Sequence, residues 1–490
     1  MTDGVEELAA HARDTHIVVV GGGVAGLVAA LECAKVGMQV TVVEASDSFG
    51  GAVRSAEVAG ITVDAGAESY ATRGGTVRAL IDELGLGDAV VRPAAGRAWV
   101  AGIPGVGAAP LPAGSVLGIP DNPWGDDVRR IIGWRGVWRA YLDRLRPPLT
   151  IGHERSLGAL VRTRMGERVL DRLVAPVTTG VYSARPDDID VDFAAPGLNS
   201  ALTRTGSLAG AVAQLTGART GAPGAAVEGL AGGMSRLVAA LTERLIALDA
   251  ELLSSTEARA VAARDGGGWA VSIHAEDDPR VELRADAVIV ATPEAIARAL
   301  LSPSVPELSG DAGEAPMVEI VTLVLESRAL DAAPRGTGVL TVPGSFSAKA
   351  LTHSTAKWDW VARAADGLHV VRVSFGAQGE EPATARLDDA DAAALALAEA
   401  SALLGVPLQP GDLRGAHRER FTQSQPASVI GRAAASAAAR TTVHRRPGLA
   451  VVGAWVAGTG LAQVVPDAVN EAELVRRTTL FGAPPADSTL

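Results

Sequence analysis

A single cysteine, Cys33, is present in 490 residues, so the chain has no internal disulfide, no cysteine-rich metal cluster and no CxxC redox pair. Cys33 itself reads as a small core residue. The eight histidines lack HxH or HExxH spacing, and no metal site is expected. Lysine is confined to positions 35, 349 and 357, which leaves nearly all the positive charge to arginine. A net charge of −12 argues against a nucleic-acid partner. Long apolar runs are also missing. The nearest candidates, 17–31 and 449–465, are glycine-rich and short of the ~20 residues a membrane span needs. The opening MTDGVEELAAHARD is acidic where a signal peptide is basic and then apolar, so a cytoplasmic location is expected. The length allows two or three domains with ample core.

Glycine is abundant, with 56 residues, and its densest use is at 16–44, HIVVVGGGVAGLVAALECAKVGMQVTVVE. An apolar strand, a GxGxxG turn (Gly21, Gly23, Gly26), a helix and a second strand ending on Glu44 make a dinucleotide-binding βαβ unit. Gly21 permits the turn, Gly23 lets backbone approach a pyrophosphate, and Gly26 lets the helix lie close to the strand. The helix N-terminus then meets the phosphates. Glu44 can accept both ribose hydroxyls and would repel a 2′-phosphate, which admits FAD or NAD and excludes NADP.

Downstream, ASDSFGGAVRS brings a second glycine pair, Gly50 and Gly51, and then Arg54, placed to ion-pair with a phosphate. A hairpin about Ala59-Gly60 runs into DAGAESY, and 74–90 reads as a helix carrying Val77, Leu80, Ile81 and Leu84 and stopped by Gly85. The Pro- and Gly-rich 91–128 crosses toward a second domain. Trp134, Trp138, Tyr141 and Leu145 share one helical face over 129–146, with six arginines on the remainder. Core packing of that face is the favoured reading, against a membrane interface or attraction of an anionic substrate. Residues 153–173 read as helix, followed by LVAPVTTGVYSARPDD and, at 216–226, a linker. The stretch 255–292 reads as three strands and a buried AVIVA. Beyond it, 298–430 is strand-rich with one helix at 389–404. A final strand, glycine loop and helix fill 446–477, with that helix beginning near Leu461 to Val464.

The order GxGxxG, Glu44, GGxxR, DxG and the Gly-Gly-Met turn at 232–234 resemble the flavin-dependent amine oxidase superfamily. GVYSA with its acidic turn and KW at 357–358 are similar to its oxygen-dependent coproporphyrinogen III and protoporphyrinogen IX oxidase branch. The resemblance covers nearly the whole chain. It implies an α/β fold with a Rossmann-like FAD-binding domain from discontinuous segments (1–90, 220–297 and 440–482), a sheet-containing substrate domain (91–110 and 298–439) and a helical domain (111–219). It implies FAD held by Gly21, Gly23, Gly26, Glu44, Gly50, Gly51, Arg54, Gly66, Ala67, Glu68, Ala258 (beside adenine), Trp455, Gly460, Leu461 and Val464. Arg73 is expected at a substrate propionate, with Tyr182, Lys357 and Trp358 as further substrate contacts. The implied reaction is oxidation of coproporphyrinogen III to coproporphyrin III in haem biosynthesis, with dioxygen as acceptor and hydrogen peroxide as product. Implied partners are the porphyrinogen, dioxygen and a transiently bound ferrochelatase, with at most peripheral membrane association. Protoporphyrinogen IX is the alternative substrate. A flavin amine oxidase, a carotenoid-type desaturase and a non-catalytic porphyrin-binding flavoprotein are the rival activities. The three tyrosines speak against the aromatic cage of an amine oxidase.

Overall fold

Five short apolar stretches, each too short to stand alone, assemble into one parallel sheet. In spatial order they are Glu251–Leu253, Gln39–Val43, His16–Val20, Ala287–Val290 and Leu449–Val451, and every neighbouring pair is parallel. Such strands are covered on both faces, which is why HIVVV and AVIV are continuous apolar runs. Ile17, Val19, Val40 and Val42 turn to the helices Val24–Ala34, Ser235–Ile246 and Leu461–Phe481. Val18, Val20, Val43, Val288 and Val290 turn the other way, to the antiparallel strands Glu257–Ala263, Trp269–His274 and Glu282–Ala285 and to the helices Glu294–Leu301 and Arg432–His444. Cys33 is fully buried in the first of these layers, where burial pushes its thiol up to about 12. The computed structural model describes residues 2–146, 154–217, 227–276, 281–310, 312–313, 315–422 and 428–482. Most of the expected 216–226 linker lies outside them.

A second sheet has seven strands in the order Leu413–Thr422, Met317–Leu325, His369–Phe375, Ala348–His353, Gly338–Thr341, Trp99–Ile103 and Gly107–Pro110. Its pairs are antiparallel except Gly338–Thr341 with Trp99–Ile103. Alternation divides its residues between two faces. Val321, Leu323, Val371 and Val373 pack against the helix Asp389–Leu404. Thr322, Arg372 and Thr352, paired across three strands, occupy the opposite face, which is turned toward the loops of the first sheet. The helices Asp126–Tyr141, Leu157–Arg164, Leu198–Thr205 and Leu208–Gly217 form a third core that also takes in Val100 and Ile103.

Gly85, at φ 74, stops the first expected helix, which covers Thr76–Glu83. Two other expected helices are corrected. The 153–173 stretch, described from residue 154, is broken by Gly166 at φ 90 into the helix Leu157–Arg164 and a second helical run that starts at Glu167 and continues to Tyr182. In the tryptophan segment, Gly133 takes non-helical angles, φ 67 and ψ 168, which rotates the faces before and after it. Ile131, Ile132, Val137 and Ala140 therefore enter the core, while Trp134 and Trp138 are each 57% exposed and Leu145 74%. The aromatics pack on one another outside it, with Trp124 edge-on to Trp138 at 5.1 Å and to Tyr141 at 5.4 Å. Among the described residues no helix is long and apolar enough to cross a membrane.

The helix Val24–Ala34 lies as close to its strand as backbone allows: a methyl on Gly26 would sit 1.9 Å from the Gly21 carbonyl oxygen. Gly26→Ala should force the two apart at a cost of about 1–3 kcal/mol. Calorimetry should show a lowered thermal midpoint, and an unchanged one would mean that the contact has slack.

Candidate functional site

Because the first sheet is parallel, loops from distant parts of the chain leave it at one edge, the carboxyl ends of the strands. Strand His16–Val20 delivers Gly21 (φ 110) to this edge. The Gly22 N–H donates to Glu44 Oε2 at 2.7 Å, and Glu44 Oε1 accepts from the Ser46 N–H at 2.8 Å and hydroxyl at 2.7 Å. The carboxylate is thereby fixed beside the glycine turn. Gly23 bridges Gly50 of the second glycine loop, whose N–H donates to Gly22 O at 2.8 Å. A Cβ on Gly23 would meet only Gly51 Cα, at 4.0 Å, and one on Gly51 only Gly23 Cα, at 3.3 Å. The two loops face each other across backbone alone.

Four further features converge there. The helix Val24–Ala34 starts at Gly23 with no side-chain cap, so its first N–H groups are left to a ligand. Leu461–Phe481, also uncapped, starts at Gly460, packs against it and carries Val464 into the shared core. Arg54 reaches Ser46 Oγ at 3.3 Å and Glu419 at 3.6 Å, while its buried Nε–H has no partner. The Thr256 N–H donates to Glu44 O at 2.8 Å, which brings in Ala258, on the wall of an open concavity of about 520 Å³. Two facing glycine loops, two uncapped helix starts and an orphaned guanidinium N–H fit a flavin nucleotide. Trp455 stands behind the C-terminal loop, 2% exposed.

The loop 64–68 crosses this edge and is tied on both sides. The Ala67 N–H donates to Ala52 O at 3.0 Å, and Gly66 is so close that a Cβ would lie 2.0 Å from the same oxygen. Asp64 accepts the Met234 N–H at 2.8 Å, which fastens the Gly-Gly-Met turn. Burial pushes Asp64 up to about 7, against the lowering influence of that hydrogen bond and of Arg372. Arg372, from the second sheet, donates to Ala65 O at 3.0 Å, Gly66 O at 2.5 Å and Glu68 Oε2 at 3.0 Å. Lys357 pairs with the other oxygen of Glu68. Burial alone would raise Glu68, but Lys357 and Arg372 outweigh it and hold the carboxyl below the usual range.

These contacts bear on two expectations. Trp358 is 2% exposed and packs among Val58, Ile61, Val63 and Val361, with Gly229 against its ring, which places it in the core. Lys357 is engaged by Glu68, whose side chain holds the loop. Arg73 is exposed on the turn before Thr76–Glu83. Tyr182 is half-buried in the turn Thr178–Tyr182, which lies on the second sheet so closely that a Cβ on Gly180 would be 2.6 Å from Leu340. Arg372 escaped sequence reading. Its signal was a lone charge inside HVVRVSF, on a strand otherwise buried. Arg372→Met leaves Glu68 with one of its two cations and frees two carbonyls, and should cost about 3–5 kcal/mol. Denaturant unfolding would measure it, and a loss under about 1 kcal/mol would show that the loop is held elsewhere.

Comparison with known proteins agrees with this geometry. A coproporphyrinogen III oxidase of Propionibacterium freudenreichii subsp. freudenreichii is 31% identical, with 97% of this chain and 93% of that protein aligned. A Bacillus subtilis (strain 168) protein of the same name is 26% identical over 93% of this chain and 96% of its own. A solved structure from Exiguobacterium sp. 255-15 superposes with a TM-score of 0.80 at 24% identity, covering 94% of this chain and 98% of that one. Putrescine oxidase bound to putrescine superposes at 0.63 and 16% identity, covering 94% and 98%. The family model for flavin-containing amine oxidoreductases matches residues 24–475. That span takes in the helix Val24–Ala34, the second glycine loop, the loop 64–68 and the start of the C-terminal helix, and the chain belongs to this family as a flavin-dependent oxidoreductase.

Proposed function

We propose that the protein, with FAD as its flavin, oxidises coproporphyrinogen III to coproporphyrin III, using dioxygen as acceptor and releasing hydrogen peroxide, as a step of haem synthesis. The observation that carries this reading is the end-to-end alignment with relatives of that name, 97% of the chain in the P. freudenreichii case. The site chemistry is compatible with it. A porphyrinogen yields hydride equivalents from its meso carbons, and its electron-rich pyrroles stabilise the cation that results, so little acid–base machinery is required. The two buried carboxylates of the loop, Asp64 and Glu68, are engaged inside the protein.

Bound FAD would supply the two-electron acceptor. The protein's own part is to hold and orient. The Gly23 and Gly51 backbones, the first turn of Val24–Ala34 and the Arg54 Nε–H would hold the pyrophosphate, and Glu44 the ribose. The uncapped start of Leu461–Phe481 would favour negative charge on the flavin ring. Arg372 and Glu68 keep the loop 64–68 in place, so the substrate meets a fixed wall. Arg73, free of ion pairs among the described residues, would take a propionate with two parallel hydrogen bonds. Protoporphyrinogen IX is the second reading. It is favoured by a mitochondrial protoporphyrinogen oxidase of Nicotiana tabacum, 28% identical over 40% of this chain.

The test is aerobic addition of each porphyrinogen to the flavin-loaded enzyme, following porphyrin fluorescence and peroxide. Fluorescence should rise well above autoxidation, with about three peroxides per porphyrin, since six electrons leave in pairs. No rise with either substrate sinks the reading, and a rise with protoporphyrinogen alone selects the second. Arg73→Ala should raise KM for coproporphyrinogen III about 10-fold or more with flavin content unchanged. An unchanged KM would make Arg73 an ordinary surface residue.

A further inference from the structure

The three lysines of this chain are used unequally. Lys35 pairs with Glu32 and Glu83, and Lys357 with Glu68. Lys349 pairs with no carboxylate among the described residues. It is 9% exposed, and among the described residues its Nζ meets one polar group, the Ser183 hydroxyl, at 2.6 Å. Burial pushes its ammonium down to about 8, with no charged neighbour offsetting that cost. An ammonium has three donors. A buried cation with a single hydroxyl acceptor is an expensive arrangement that an arriving anion would relieve.

Sheet geometry decides which side Lys349 occupies. Ala348 belongs to the face covered by Asp389–Leu404, and its N–H donates to Glu399 of that helix at 3.0 Å. The register shifts between Ala348 and Ala350, and Lys349 turns to the opposite face. That face carries Arg372 and, through it, the loop 64–68. The segment Gly180–Ser183 lies on it: a Cβ on Gly180 would be 3.8 Å from Lys349 O. Ser183 follows Tyr182 with φ 53, a left-handed backbone that turns the chain there. Its carbonyl accepts the Gln378 N–H at 2.8 Å, and the side-chain Oε1 of Gln378 is buried with no partner. An ammonium, a hydroxyl and a side-chain amide thus belong to one junction between the Gly180–Ser183 turn and the sheet.

Resting on the porphyrinogen reading, we propose that Lys349, with Ser183 beside it, is a carboxylate-binding site that receives one propionate of the macrocycle. It is distinct from Arg73, which stands exposed before the helix Thr76–Glu83. A substrate with a propionate on every pyrrole presents one to Lys349 in any in-plane orientation. A substrate with two does so in fewer, so the site favours the four-carboxylate macrocycle.

Binding to the flavin-loaded protein tests this, with coproporphyrin III and protoporphyrin IX titrated separately by their absorbance change. Lys349→Met should weaken coproporphyrin III binding by about 10- to 100-fold and narrow its advantage over protoporphyrin IX, with flavin content unchanged. Ser183→Ala should weaken it by less. Lys349→Arg, which keeps the charge, should recover most of the lost affinity. That rescue separates a ligand contact from a structural role, since a longer, bulkier side chain would not repair lost packing. Affinity for Lys349→Met within about twofold of the parent overturns the site, as does a Lys349→Arg protein as weak as Lys349→Met. If the parent protein neither binds nor oxidises either macrocycle, the porphyrinogen reading fails instead.

Discussion

Arg372 joins the two halves of this molecule. It leaves the middle of the seven-stranded sheet, and its guanidinium spans two carbonyls and the Glu68 carboxylate of a loop that belongs to the other sheet. Neither group is stable alone in this surrounding. A buried guanidinium requires acceptors, and a buried carboxylate requires cations. Satisfying both at once fixes the distance between the nucleotide edge and the wall that faces it. Lys357 reinforces the pair from a different segment.

The parallel sheet sets the other constraint. Parallel strands send all their exits to one edge, so Gly21, Glu44 and the loop before Gly460 meet although more than 400 residues separate the first from the last. A flavin site made this way would need little chemistry from side chains. Glycines let two loops approach until only backbone separates them, and helix starts would provide the charge. The few side chains present, Glu44 and Arg54, are held by Ser46 and Gly22 before any ligand arrives.

How much of this was readable in the sequence depends on the range of the forces involved. The βαβ unit, the strands between 255 and 292 and the helix Asp389–Leu404 were readable, because continuous apolar runs and alanine-rich periodicity are local signals. Gly21, Gly23 and Gly26 form a local pattern too, with Gly21 at the turn (φ 110) and Gly26 where the helix lies against the strand end. Trp134 and Trp138 were misplaced because a single left-handed glycine at 133 changed the phase of the pattern. Trp358 was expected at the substrate because KW at 357–358 resembles the family's segment. Only the hairpin Ser55–Val58 with Ile61–Asp64, lying across it, makes it core. Arg372 and Lys349 depend on sheet parity and on which face meets the other domain, and no window of sequence holds that information.

The tryptophans placed outside the core also bear on how the protein is observed. Trp124, Trp134 and Trp138, three of the eight, are at least 36% exposed, the last two packed edge-on against Trp124 in the folded state. The intrinsic emission of the native protein therefore comes partly from indoles already in water. Unfolding will shift it less than eight buried rings would, whereas Trp269, Trp358 and Trp455, each at most 4% exposed, carry the signal of the cores.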